Sequence, residues 1–174
     1  MRDGESSVDD DNAGWPEQHF ASHRKRFTEF DPASMRALLA LRIAAQHVEN
    51  VVGSWFLDLD LTPQKFGVLI VLQAEGRPIS LSDLRRYLGT TQANVTGLVA
   101  GLERDGYIER RASTEDRRVS YISLARAGKR ILSAMLPSYF ARNKAAMKGL
   151  TQAEKKQLLL LLEKTARGFE ALES

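Results

Sequence analysis

The residues from 91 to 97 combine polar side chains with a spacing suited to contacts with nucleic-acid bases. Apolar residues recur behind them at i, i+3, i+4 and i+7, which predicts a helix over 92–105 with one buried face. Its first turn and opposite face carry short hydroxyl and amide side chains: Thr91, Gln92, Asn94 and Thr96. Such groups can hydrogen-bond base edges or phosphates in a major groove. A solvated helix with capping residues is the alternative interpretation.

A second candidate site is a predicted hairpin rich in arginine. Four arginines lie close to an acidic pair, Glu115 and Asp116: Arg110, Arg111, Arg117 and Arg118. Arginine at a hairpin tip suits a minor groove, where the negative potential is enhanced. We expect Asp116 to orient a neighbouring arginine through an ion pair. An ordinary charged hairpin is the alternative.

The other chemical groups do not form a recognisable catalytic or metal site. The chain has no cysteine, which excludes disulfides, thiol nucleophiles and cysteine metal sites. His19 and His23 have the i, i+4 spacing of two metal ligands on one helix face, but only His47 could join them. A solvated or interface arm is the preferred interpretation of these histidines. We therefore predict no enzyme activity, no catalytic residue, no metal and no cofactor.

The periodicity predicts the elements that position the candidate site. Asp31 followed by Pro32 is a typical helix start, and a long helix is expected to about residue 57. Further helices are predicted over 62–74, 81–88 and 92–105, with Gly89-Thr90 as the turn between the last two. Strands follow over 107–111 and 119–124. A helix over 125–148, kinked at Pro137, and a last helix opened by the Thr151–Glu154 capping box complete the chain.

This order predicts a mainly α fold with a small β-hairpin wing. Residues 62–124 are predicted to form a winged helix-turn-helix lobe, flanked by dimerisation helices over 31–57 and 125–172. Residues 1–30 are predicted to be an acidic, partly flexible arm. The aromatics between Trp15 and Phe30 suggest a short helix or arm that packs on the body or on a partner subunit. The five leucines from Leu158 to Leu162 are too apolar for a lone surface helix, which favours a homodimer.

Charge and hydropathy limit the partners. Residues 1–31 carry four basic and eight acidic side chains, a net charge of −4, whereas residues 77–130 carry eleven basic and six acidic ones, a net charge of +5. A basic middle region favours a polyanion as partner. No apolar run is long enough to span a bilayer, and the acidic N-terminus lacks the apolar region of a signal peptide. We expect a cytoplasmic protein without a membrane partner.

From about residue 35 to 172 the sequence resembles the MarR family of regulators. The resemblance lies in five segments in order: LTPQ at 61–64, NVTGLV at 94–99, LERDGYIER at 102–110, DRR at 116–118 and LARAG at 124–128. It implies an obligate dimer built from the first helix and the last two. It also implies a recognition helix at 92–105, a minor-groove wing at Arg117 and Arg118, and control of nearby genes from palindromic double-stranded DNA.

The resemblance further implies a small effector, often phenolic or aromatic. Flat apolar walls from Trp55 and Phe66, with His47 or Arg42 fixing a polar tip, could form its pocket. These residues could equally belong to the core and the dimer interface. Many members have a basic residue where this chain has Gly97, which shifts base recognition towards Gln92 and Asn94. Gly67 after Phe66 argues against urate as effector, and the missing cysteine argues against peroxide sensing.

The preferred hypothesis is a DNA-binding regulator, most simply a repressor relieved by an aromatic or phenolic effector. One alternative is a winged-helix module that docks protein instead of DNA. Another is a constitutive DNA binder that responds to no ligand. The arginine-rich hairpin and the amides of the helix argue against the protein-docking alternative.

Overall fold

The computed structural model describes residues 17–57, 59–112 and 120–172, and in the first helix it describes the side chains of Phe20 and of residues from His23 onward. The chain divides into two compact units, residues 1–63 and 64–174.

The first unit contains helices α1 (Glu17–Arg26) and α2 (Pro32–Ser54). The Asp31 carboxylate accepts hydrogen bonds from the backbone amides of Ala33 and Ser34 and from the Ser34 hydroxyl, so the predicted cap before Pro32 is present. The Ser34 hydroxyl contributes most to lowering the pKa of Asp31. The ring of Phe20 stacks on Phe30 with centroids 5.8 Å apart. A short helix, α1, is therefore present in this segment, and Phe20 packs on Phe30, whereas Phe27 is 53% exposed and Trp15 lies outside the described residues.

The second unit is mostly helical and includes a small sheet. Its elements are α3 (Pro63–Glu75), β1 (Ile79–Ser80), α4 (Leu81–Leu88), α5 (Gln92–Arg104), β2 (Ile108–Ala112), β3 (Ser120–Leu124), α6 (Arg126–Ala146) and α7 (Gln152–Glu170). The mainly α class and the hairpin are confirmed. Element ends differ from the predicted ends by a few residues, as is usual where helices and strands fray.

The sheet has one strand more than the sequence predicts. The strand order is β1-β3-β2, all antiparallel, and β1 pairs Ile79 with Ile122 and Ser80 with Tyr121. β1 contains two residues, too short to show the alternating pattern that identifies a strand. It places the fully buried Ile79 beside β3, the central strand of the sheet.

Apolar side chains from the helices and the sheet share one core in the second unit. Each of the following has at most 3% of its surface exposed: Phe66, Val68, Leu69, Leu72, Ile79, Leu84, Val95, Val99, Leu102, Ile108, Ile122 and Leu132. Helix α5 ends at Arg104 with Asp105 as its C-cap, and the amides of Gly106 and Tyr107 donate to the carbonyls of Glu103 and Leu102. This Schellman pairing turns the chain sharply from α5 into β2.

The two C-terminal helices follow the predicted boundaries closely. Helix α6 continues without interruption through Pro137, and the kink expected there stays a prediction. Thr151 and Glu154 form the predicted capping box at the start of α7, with the Thr151 amide 2.6 Å from the Glu154 carboxylate. Among the described residues, no helix has the length and apolar character needed to cross a membrane.

Candidate nucleic-acid interface

Helices α4 and α5 meet through a short turn, as the sequence predicts. The Ser80 hydroxyl caps α4 by accepting from the amide of Asp83 at 3.1 Å. Gly89 ends α4 with φ at +57°, a left-handed conformation that is costly for residues with a β-carbon. Thr91 then caps α5, because its hydroxyl oxygen accepts a hydrogen bond from the backbone amide of Asn94 at 3.3 Å. These contacts set the two helices in a helix-turn-helix arrangement.

The buried face of α5 fixes which face remains available. Val95, Val99 and Leu102 are at most 1% exposed, and Leu84 of α4 is fully buried. Burial of these four side chains contributes roughly 1.5–3 kcal/mol each. The opposite face is solvent-exposed and consists of small or amide residues: Gln92, Ala93, Thr96, Gly97 and Ala100. A β-carbon on Gly97 would meet no atom within 4 Å, so this face is flat and open.

The four predicted contact residues on α5 differ in how their polar atoms are engaged. Gln92 is exposed in the first turn. The Asn94 side-chain nitrogen donates to the Thr90 hydroxyl at 2.8 Å. The Thr96 hydroxyl donates to the Gln92 backbone carbonyl at 2.8 Å, and Thr91 is engaged as the cap. Gln92 is therefore the side chain with the greatest freedom to reach a base.

An ion pair anchors the far end of α5. The Lys65 ammonium of α3 lies 2.6 Å from the Asp105 carboxylate, with the two side chains 18% and 25% exposed. The hydrogen bond from Lys65 is the largest cause of the lowered pKa of Asp105. Arg104 adds a weaker contact at 3.4 Å. Sequence analysis did not identify this pair, because its members are 40 residues apart and come together only in the fold.

The base of the hairpin presents basic side chains to solvent. Arg110 and Arg111 are exposed on β2, and the Arg111 guanidinium lies 3.1 Å from the Glu109 carboxylate. Arg111 pairs in register with Tyr121 across the hairpin. The predicted tip residues Asp116, Arg117 and Arg118 lie outside the described residues.

Helix α4 adds a cationic surface that sequence analysis missed. Arg85 and Arg86 are exposed, and Arg86 lies 2.9 Å from Asp83 and 5.6 Å from the ring centroid of Tyr87. A hydrogen bond to Glu75 is the main cause of the raised pKa of Tyr87. The adjacent arginines on a short helix before the turn were the available signal. In a helix-turn-helix, this first helix crosses the nucleic-acid backbone.

The predicted effector and metal candidates lie in different environments. Arg42 and His47 are exposed on α2, and Trp55 is half-buried at its end. Phe66 is 1% exposed in the core of the second unit, where its ring meets Tyr139 edge-on at 5.1 Å. The His23 ring lies 5.6 Å from Phe30. Throughout the described ranges, no group of three or more metal-ligating side chains is present.

Comparison with known sequences matches residues 59–119 to the MarR family. The transcriptional repressor YetL of Bacillus subtilis is 31% identical over 146 residues, covering 83% of this chain and 87% of YetL. The Escherichia coli K12 transcriptional repressor MprA is 32% identical over 109 residues, covering 62% of each protein.

Solved structures with the same fold include DNA complexes. BpsR of Bordetella bronchiseptica, described as regulated in its DNA binding by 6-hydroxynicotinic acid, superposes with a TM-score of 0.64 at 27% identity, covering 73% of this chain and 96% of BpsR. A mutant MarR from E. coli complexed with operator DNA gives a TM-score of 0.64 at 22% identity, covering 72% and 90%. With its helix-turn-helix, its hairpin and these relatives, the chain belongs to the MarR family of winged-helix transcriptional regulators.

Proposed function

We propose that this protein is a homodimeric, sequence-specific repressor that binds palindromic double-stranded DNA. The exposed N-terminal face of α5 is the observation that carries the proposal. It is polar, flat and unobstructed at Gly97, while Val95, Val99 and Leu102 hold the opposite face in the core. A helix presented in this way fits the major groove of B-DNA.

Within this proposal, α5 selects the sequence. Gln92 reaches base edges, and an amide can bind adenine through two hydrogen bonds. Asn94 and Thr96, whose side chains are shorter, contribute further contacts in the groove. Thr91 contacts the DNA backbone near the N-terminus of α5, where positive partial charge favours phosphate. Arg85 and Arg86 of α4 contact phosphates on the flank of the groove.

The hairpin supplies affinity in this scheme. Arg111 at its base and Arg117 and Arg118 at its tip contact the minor groove and adjacent phosphates. Asp116 orients one of the tip arginines through an ion pair. Such contacts release counterions, so they strengthen binding to every sequence and make it depend steeply on salt.

Exposed apolar side chains support the dimer. Leu159, Leu160 and Leu161 of α7 are 58%, 59% and 51% exposed, and on α2 Ile43 and Val48 are each 55% exposed. Exposed apolar surface of this kind supports an interface between subunits. Two copies would set their α5 helices about 34 Å apart, the spacing of successive major grooves on one side of DNA.

We also propose that an aromatic or phenolic effector relieves repression. The described regulation of BpsR by 6-hydroxynicotinic acid supports this part of the proposal. The residues predicted from the sequence, Trp55, Phe66, His47 and Arg42, are the candidates to test for an effect on such a ligand. The competing possibility is a constitutive DNA binder that responds to no ligand. In that case these four residues would only pack in the protein or lie in solvent.

The decisive experiment measures DNA affinity as a function of salt. DNA fragments selected by the purified protein would first define a binding sequence. The slope of log affinity against log salt concentration should then be steep. Arg118→Ala or Arg111→Ala should reduce this slope by about 1 and weaken binding to all DNA sequences alike. Lys148→Ala, which removes an exposed cation beyond the end of α6, is the matched control. If the protein selects no DNA sequence but binds a protein through the same surface, the alternative of a protein-docking module would be favoured.

A further inference from the structure

A cleft of about 560 Å³ opens in the second unit between the end of α3, the end of β3 and the first half of α6. Small-molecule sites usually measure about 300–1,000 Å³. The side chains that decide its chemistry are Leu72, Gln73, Arg77, Ser123, Lys129 and Ser133. Neither the proposed DNA contacts nor the aromatic effector residues belong to it.

The lining of the cleft is suited to a hydroxylated anion. Arg77 and Lys129 are cationic, and no acidic side chain is among the described residues that line it. The Ser133 hydroxyl already donates to the Lys129 backbone carbonyl at 2.9 Å, so its oxygen is left to accept from a ligand hydroxyl. Gln73 and Ser123 add further donors and acceptors. This lining differs from the mainly apolar walls that an aromatic ligand requires.

Arg77 also connects the cleft to the helix-turn-helix. Its guanidinium lies 3.1 Å from the Glu75 carboxylate, with the two side chains 64% and 22% exposed. An ion pair exposed to this degree is weak, so a bound anion can compete for Arg77. The Glu75 carboxylate is in turn the main cause of the raised pKa of the Tyr87 hydroxyl on α4. A change in the Arg77–Glu75 ion pair therefore changes the electrostatic influence of Glu75 on α4.

We propose that this cleft binds a small hydroxylated organic anion, whose acidic group lies between Arg77 and Lys129 and competes with Glu75 for Arg77. Binding would free the Glu75 carboxylate to interact more strongly with Tyr87 and so alter how α4 is held. Any resulting effect on DNA affinity rests on the proposed function above. The anion site itself does not, and it can be tested without DNA.

The binding test is isothermal titration calorimetry of the full chain without DNA. Glycerol 3-phosphate and citrate are the probes, which distinguish a phosphate from a carboxylate ligand, and glycerol is the uncharged control. At least one anion should bind, and Arg77→Gln or Lys129→Gln should each weaken it about tenfold or more, the effect of losing one charged hydrogen bond. Arg130→Gln removes a neighbouring exposed cation outside the lining and should leave affinity unchanged.

The connection to α4 has its own readout. The protein has four tyrosines, so 3-fluorotyrosine labelling gives resonances in which Tyr87 is assigned by its loss in Tyr87→Phe. The bound anion should shift the Tyr87 resonance in the wild type but not in Glu75→Gln. If neither anion binds, or if both cleft variants bind like Arg130→Gln, the site is overturned. If an anion binds while the Tyr87 resonance stays fixed, the connection to α4 is overturned. Loss of DNA binding alone would change neither result.

Discussion

The backbone carbonyl oxygen of Tyr107 lies against the α-carbon of Gly128, only 2.2 Å from where a β-carbon on residue 128 would stand. The same carbonyl accepts a hydrogen bond from the Ala125 amide at 3.0 Å. The first turn of α6 therefore packs directly on the corner between α5 and β2. This close approach is possible because glycine has no side chain.

We predict that Gly128→Ala destabilises the fold by about 1–3 kcal/mol or more, because backbone must move to relieve the overlap. Urea unfolding followed by circular dichroism measures the change. Gly97→Ala is the matched control, since a β-carbon there meets open space and alanine favours the helix by about 1 kcal/mol. Equal stability of the two variants would show that α6 does not depend on this contact.

The sequence predicted those elements that a local pattern of residues defines. The periodicity of Val95, Val99 and Leu102 and the Thr151–Glu154 box identified α5 and α7, because these are local patterns with a period set by the helix. The exposed polar face of α5 followed directly from its buried face. Local patterns therefore predicted the helix-turn-helix and most of the candidate DNA contacts.

Features that depend on distant parts of the chain were not predictable. Strand β1 was missed because its two residues become a strand only by pairing with β3. The Lys65–Asp105 pair and the cleft around Arg77 and Lys129 join elements whose approach no local pattern specifies. Phe66 illustrates a different limit, since an aromatic that lines a pocket and one that fills a core have the same sequence pattern.

We predict that the Lys65–Asp105 pair makes stability depend on pH in the acid range. Its carboxyl has a pKa below the ordinary 3.8 in the folded protein. Its contribution is therefore present above the unfolded-state pKa and is lost as pH falls through the lower folded-state pKa. The wild type should exceed Asp105→Asn in stability at neutral pH by no more than about 1 kcal/mol, because solvent screens an ion pair near the surface. The gap should close below pH 3.8.

Unfolding free energies of both proteins across this pH range test the prediction. Lys65→Met should reproduce the loss, and combining it with Asp105→Asn should add little, since both remove one interaction. Arg104→Gln controls for the longer contact that Asp105 makes with Arg104. A gap that stays constant from neutral to acid pH would assign the stabilisation to something other than the carboxylate charge.

We predict that Gln92 and Asn94 affect DNA recognition in different ways. Gln92→Ala should relax base preference at one position by about 1–3 kcal/mol without affecting stability, because the side chain is exposed. Asn94→Ala should alter base preference and also destabilise the start of α5, because it removes the bond to Thr90. Sequencing of selected DNA, paired with thermal unfolding, separates the two effects. Unchanged DNA selection by Gln92→Ala, with altered selection by Arg118→Ala, would reverse the proposed roles of helix and hairpin.

The last prediction concerns α7 as a dimer interface. None of its 19 residues is buried, yet five consecutive leucines lie in its middle. A helix in a folded protein gains most of its stability by packing its apolar face, so α7 requires a surface to pack on. A second copy of the chain supplies one with matching apolar character.

Analytical ultracentrifugation, which measures the mass of the particle in solution, tests this requirement with two variants that each add a negative charge to α7. Leu160→Glu puts a charge on a side chain that is 59% exposed in the single chain, and it should convert the dimer to a 19.4 kDa monomer with weakened DNA binding. Gln157→Glu adds the same charge to the same helix at a polar position and should leave the dimer intact. Removal of the chain after Gly149 should likewise abolish dimerisation. A wild type that sediments at 19.4 kDa, or a Leu160→Glu variant that stays dimeric and binds DNA normally, would exclude α7 from the interface. A monomeric wild type could not hold two α5 helices at the spacing of successive major grooves. A dimer that tolerates Leu160→Glu would have to form through another surface, such as the exposed apolar residues of α2.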